Sequence, residues 1–180
     1  STAIQAAGRF LVYSVDYEAD TRGGLVGGNL YNRTFDGNPP ASITQPGNQF
    51  IFSRQPILTY SALGGTREYG SLQPITFTLG VTGLVNGDTA AQAVAGAPTV
   101  SDITTLTTGV GTYGDGLQLA QGSLFSDIGY GFAFAPSPLT ITPRALTIAA
   151  LNGVKPAGSF LTFAGTEFVS SGLVNGDQVN

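Results

Sequence analysis

The sequence predicts an all-β protein, a sandwich or barrel of short strands built as repeated modules. Three observations carry that expectation. Of 180 residues, 26 are glycine and 10 proline, while 42% are apolar and only 10% charged; such a chain can bury a core and is broken by many tight turns. Short runs rich in Thr, Val, Leu and Phe alternate with turn residues, whereas no long window carries a helical apolar stripe without Gly or Pro breaking it. One block of sequence also occurs twice.

In chain order, GRFLVYSVDY (8–17) sets Phe10, Val12 and Ser14 on one face and Leu11, Tyr13 and Val15 on the other, the pattern of a strand covered on both sides or lying against another module. DGNPPASITQPGN (36–48) reads as a loop or linker. The spacing then predicts strands at QFIFS (49–53), ILTYSAL (57–63), PITFTLGV (74–81), APTVSDI (97–103), GTYGDGLQL (111–119), GYGFAF (129–134), PLTITP (138–143), ALTIAAL (145–151) and SFLTFAG (159–165). In PITFTLGV the alternation of Ile75, Phe77 and Leu79 with Thr76, Thr78 and Gly80 predicts one buried face. TAAQAVAG (89–96) suits one helical turn, a short strand or a loop. APSP (135–138) costs ladder donors and reads as a kink within a module or a passage between sheets.

The repeat is specific. ILTYSALGG (57–65) aligns with ALTIAALNG (145–153), and GLVNGD returns at 83–88 and 172–177, with one residue inserted between the anchors. Strand, turn, strand and GLVNGD in the same order mark a duplicated module. The expected organisation is a β-rich N-terminal segment and linker (1–56), a complete module (57–142) and part of a second (143–180).

The residues LTY, EYGSLQP, GLVNGDTA, VGTYGDGLQ, YGFAF and LTITP over 57–180 resemble, in order and spacing, the MBG modules: mostly-β, glycine-rich, Ig-like repeats of large bacterial surface proteins. A Tyr-Gly-X turn (Tyr69, Gly70, Ser71) opens the pattern, and Lys155-Pro156-Ala157-Gly158 replaces it in the second copy. GRFLVYS (8–14) and RGGL (22–25) resemble the segment that follows the β-helical region of filamentous-haemagglutinin-like secreted proteins. The resemblance implies Ig-like β-sandwich modules in tandem, with an N-terminal segment derived from the end of a β-helix. It also implies an extracellular, cell-surface location and an adhesive or structural role. The implied partners are other copies of itself, adjacent modules of the same long chain, and host or surface glycans. Beginning STAIQ, the chain is expected to be a processed piece or a fragment of something longer. Half a sandwich exposes strand edges, so the second copy is expected to be completed by further residues or by strand addition from another chain.

Composition removes whole classes of chemistry. With no His and no Cys there is no Ser-His-Asp triad, thiol nucleophile or zinc cluster, and no enzyme is expected. Seven scattered Arg and Lys on a chain of net charge −4 argue against nucleic acid, and no stretch approaches the ~20 apolar residues of a membrane span. GVGTYGDG and RGGLVGGN are glycine-rich, but neither leads into a helix that could cradle phosphate.

Among candidate sites, Asn86-Gly87-Asp88 and Asn175-Gly176-Asp177 read as structural turns, because Asn-Gly tolerates positive φ at both central positions. A single carboxylate with its neighbouring carbonyls falls short of the 6–8 oxygens calcium takes. Asp16, Glu18 and Asp20 have the spacing of a calcium loop's first ligands, yet Thr21 stands where that loop needs Gly and Gly27 where it needs Glu. Arg22 is expected to neutralise them. No cofactor is expected, and calcium at these carboxylates is the alternative left open. Phe77, Tyr113, Tyr130, Phe132 and Phe134 are the expected core aromatics.

Overall fold

The computed structural model describes residues 8–71 and 74–179. The opening STAIQ, and Leu72 and Gln73 of EYGSLQP, lie outside the described residues. The protein is all-β and sandwich-like, with 38% of the described residues in strands and 4% in helix.

The N-terminal sheet holds three parallel strands, β1 (Leu11–Ser14), β2 (Gly28–Leu30) and β3 (Gln49–Phe52), in the order β1-β3-β2. Parallel pairing is the mode of a β-helix, but the third strand lies in the middle, whereas successive β-helix coils stack on their sequence neighbours. All four residues of β3 are buried, as a central parallel strand requires. Alternation sends Phe50 and Phe52 into one cluster and Ile51 into another with Leu30 and Ile43. The 36–48 segment forms a 3-10 turn at Pro40–Ser42. It is pinned by Arg9, which donates to the carbonyls of Gln45 and Ile43 at 2.5 and 2.6 Å.

The second sheet is built on β4 (Ile57–Glu68), joined to β3 through Ser53–Pro56. Its order is β5-β4-β9-β7-β6, with β5 (Thr76–Thr82), β6 (Thr99–Asp102), β7 (Gly111–Ala120), β8 (Gly131–Phe134) and β9 (Ser137–Thr142), and β8 also pairs with β4. A bulge at Gly64 (φ +67°) lets β4 run past the expected Leu63. β8 and β9 lie parallel along β4 in one register, Ile57 opposite Gly131 and Gly65 opposite Leu139. Ala135–Pro136 therefore interrupts a single run without shifting it. A four-residue helix, α1 (Ala90–Ala93), follows the first GLVNGD; the Gln92 side-chain oxygen accepts the Thr89 N–H at 2.9 Å.

The main core crosses position 56: Tyr17, Tyr31, Phe50 and Phe52 pack with Leu58, Tyr60, Leu124 and Tyr130. Tyr31 stacks on Phe52 at 5.6 Å and meets Tyr130 edge-on at 5.0 Å, contacts worth about 0.5–1.5 kcal/mol each beyond burial. A smaller cluster of Ala62, Leu117, Leu139 and Ile141 fills the far end.

Two expectations need correction, and one strand stands where none was expected. Phe77 is not a core residue but 38% exposed, and Leu79 beside it 43%, because β5 is an edge strand with no second layer over that face among the described residues. SFLTFAG (159–165) is not a strand: Phe160 is 99% exposed, and the Glu167 carboxylate accepts the N–H groups of Ala164, Gly165 and Thr166 at 2.6–3.0 Å, closing a turn there. The strand of this segment is β11 (Phe168–Ser171), antiparallel to β10 (Thr147–Ala150). β2, hidden in the glycine-rich RGGLVGGNLYN, had no strand signal.

Candidate functional site

Each GLVNGD forms the same turn. Asn86 and Gly87 have φ of +53° and +76°, Asn175 and Gly176 of +56° and +80°, and Asp88 and Asp177 return their N–H to the Val85 and Val174 carbonyls at 2.9 Å in both cases. The turns differ in what their side chains meet, and both meet a tyrosine that precedes them in the chain.

At the first turn the Asp88 carboxylate accepts three hydrogen bonds. Asn29 Nδ2 donates at 2.6 Å, Tyr31 Oη at 2.7 Å and Tyr130 Oη at 2.9 Å. Asn29, on β2, is itself oriented by Arg22, which donates to its Oδ1 at 2.6 Å while lying over the Phe50 ring at 4.3 Å. Asn86 Nδ2 adds a bond to Tyr31 Oη at 3.3 Å. Burial chiefly, and then the Asp88 carboxylate, raises the Tyr31 phenol far above its ordinary value. Burial likewise pushes Tyr130 up to about 12, with Asp88 reinforcing it against the Val85 hydrogen bond. Both phenols therefore stay protonated donors at neutral pH.

At the second turn Tyr69 Oη donates to Asp177 at 3.2 Å, and Asn175 Nδ2 donates to the Leu106 carbonyl at 2.8 Å. Val174 packs against Gly70, whose φ is +66°; a β-carbon there would collide with the valine methyl. The loop carrying Leu106 is held by Arg67, 7% exposed, which donates to Asp102 at 2.9 Å, Thr104 Oγ1 at 2.9 Å and the Thr105 carbonyl at 2.5 Å.

The two tyrosines share a local form: each is followed by a left-handed residue, Asn32 (φ +55°) after Tyr31 and Gly70 after Tyr69. The Tyr-Asn pair at Tyr31 is the signal in the sequence that could have marked it, since Asn is the non-glycine residue most at ease in that conformation. Lys155-Pro156-Ala157-Gly158 keeps the same turn. Gly158 has φ +83°, and the Ser159 N–H reaches the Pro156 carbonyl at 3.3 Å, as Ser71 N–H reaches Glu68 at 3.1 Å. Only the phenol is missing.

The other candidate residues suggested by the sequence lie elsewhere. Asp16 and Glu18 are bound by Arg54, whose Nη1 lies 2.9 Å from Asp16 Oδ1 and 2.7 Å from Glu18 Oε2. The Glu18 N–H first, and Arg54 next, hold the Asp16 carboxyl below its ordinary value. The neutralising cation is thus Arg54, not Arg22, and Asp20 is exposed and apart. Among the described residues no three acidic side chains are grouped to hold a metal ion. Tyr130 is 3% exposed; Phe132 and Phe134 are half-buried, each 6.4 Å from the Tyr60 ring. Tyr113 packs half-buried against the smaller cluster and donates to the Gly109 carbonyl at 2.9 Å. An open cleft of about 510 Å³ beside the first turn is lined by polar groups including Asn29, Gln45, Gln49 and Gln92.

Residues 58–140 match the family of the MBG domain (YGX type), domains that occur in surface proteins. No curated protein and no solved structure matches the chain. No helix among the described residues is long and apolar enough to cross a membrane.

Proposed function

We propose, from the match of residues 58–140 to the MBG domain (YGX type), that this chain is a non-enzymatic structural or adhesive segment of an extracellular bacterial surface protein. In this reading its modules stand in tandem and associate by strand addition. The tandem reading is supported by register: Thr59 lies opposite Thr82 and Ala62 opposite Leu79, and in the C-terminal segment Thr147 lies opposite Ser171 and Ala150 opposite Phe168.

The observation that carries association is what those matched positions face. Leu58 and Tyr60 are 0% and 7% exposed, while their counterparts Leu146 and Ile148 are 47% and 53% exposed. β4 has β8 and β9 along its second edge, whereas among the described residues β10 pairs only with β11. An open edge beside an apolar face is a template for another strand. The strand it suits has the chemistry of residues 131–142, which enters parallel and carries alternate apolar side chains. A neighbouring copy of the module is the proposed source.

The test combines electron microscopy of the chain with hydrogen exchange. Assemblies are expected that Ile148→Lys dissolves, and a peptide of residues 131–142 is expected to protect the amides of 147–150 where a scrambled peptide does not. A chain that stays monomeric at high concentration and ignores the peptide overturns the reading. The polar cleft beside Asp88 favours a second reading, glycan binding, which saturable binding on a glycan panel would support.

A further inference from the structure

We propose that a tyrosine followed by a left-handed residue is a socket, and the Asn-Gly-Asp turn its plug, in one kind of joint that holds successive segments of this chain at a fixed angle. The joint is made twice, Tyr31–Asn32 taking the turn of Asp88 and Tyr69–Gly70 taking the turn of Asp177. It is a distinct surface from the open edge of β10 and does not rest on strand addition.

The chemistry of recognition is the same at both places. A phenol donates to the turn's carboxylate, a charge-assisted bond stronger than a neutral one. The Asn of each turn supplies a second polar contact, to Tyr31 Oη in one joint and to the Leu106 carbonyl in the other. The valine before it supplies the apolar contact: Val85 packs on the aromatic cluster that contains Tyr31, and Val174 on the bare α-carbon of Gly70. Gly70 is thus doubly constrained, by its positive φ and by the space Val174 needs.

The two joints differ in grade. The first is buried and short, at 2.7 Å, and its carboxylate has two further donors; the second is exposed and longer, at 3.2 Å. The first locks the N-terminal sheet to the module, while the second positions the C-terminal segment without fusing the cores. Ala157–Gly158 keeps the socket's backbone and lacks its donor, so a turn of this kind meeting it would find no latch.

The absence of cysteine allows clean double spin labelling at Val110→Cys and Val169→Cys, both exposed sites on opposite sides of the second joint. The full chain is expected to give one narrow interspin distance. Tyr69→Phe and Asp177→Asn are each expected to broaden it, the double variant no further than either alone, and Gly70→Ala to shift it. Tyr13→Phe, whose phenol donates to the Asn38 carbonyl in the N-terminal sheet, is expected to leave it unchanged. Retained amide protection in β4 checks that the module is folded throughout. A broad distribution in the parent chain, or one that neither Tyr69→Phe nor Asp177→Asn alters, overturns the proposal.

Discussion

Gly172 repeats the backbone of Gly83. Their φ angles are +101° and +99°, and a β-carbon on either would run into a backbone carbonyl oxygen, that of Ala145 ahead of β10 or that of Ile57 at the start of β4. Positive φ with no room for a side chain leaves glycine as the one residue that fits.

Alanine at either position therefore separates the two hairpins. Gly83→Ala is expected to cost about 1–3 kcal/mol of global stability, read as a shift in the urea midpoint. Gly172→Ala is expected to leave that midpoint in place and to abolish amide protection at 147–150 and 168–171 alone, because among the described residues β10 and β11 share no strand with the larger sheet.

Asp88→Ala deprives two buried phenols and a buried amide of their acceptor. An orphaned buried donor costs about 1–3 kcal/mol, so a loss of about 3 kcal/mol or more is expected in equilibrium unfolding. Asp177→Ala, at an exposed turn, is expected to change the same transition little. Equal losses from the two substitutions would show that the first joint is no more buried than the second.

Alkali is expected to destabilise the protein through the same site. Tyr31 and Tyr130 have folded-state values raised above the ordinary 10.0. Their protonated forms are favoured in the fold, so this contribution is fully present below pH 10 and is lost as pH rises through the folded values. Tyr130 is spent near pH 12, and Tyr31 continues beyond it. The slope reaches at most about 1.4 kcal/mol per pH unit for each tyrosine. Unfolding free energies measured between these pH values, with phenolate absorbance, check it; Tyr31→Phe with Tyr130→Phe should flatten the profile.

Ser137 mends the strand that Pro136 interrupts. Its hydroxyl, fully buried, accepts the Ala62 N–H at 2.8 Å and donates to the Ala135 carbonyl at 3.2 Å. Ser137→Ala is expected to leave that N–H unpaired in the core at a cost of about 1–3 kcal/mol, measured by denaturant unfolding. Ser137→Gly should behave no better, since the missing acceptor and not the side-chain volume is at fault.

Much of the fold was legible because its signals are local. Alternation located β4, β7 and β9, and Asn-Gly located both turns, since each depends on a period of two or on backbone φ within a few residues. The recurrence of GLVNGD set the order of elements over both halves. SFLTFAG misled because its β-forming residues are real while no strand lies beside it among the described residues, and an unpaired strand gains nothing from propensity. Phe77 misled for a related reason: alternation says which side chains share a face, never whether a second layer covers it.

By itself, then, the sequence determined an all-β chain, its repeated block, the turns at Asn86 and Asn175, and a break in strand pairing at 135–138. Tertiary structure alone decided what the turns do. Asp88 meets Asn29, Tyr31 and Tyr130, and Asp177 meets Tyr69, residues far apart along the chain. Such pairings follow from how sheets pack, and two identical hexapeptides acquire different burial because only one of them faces a completed core.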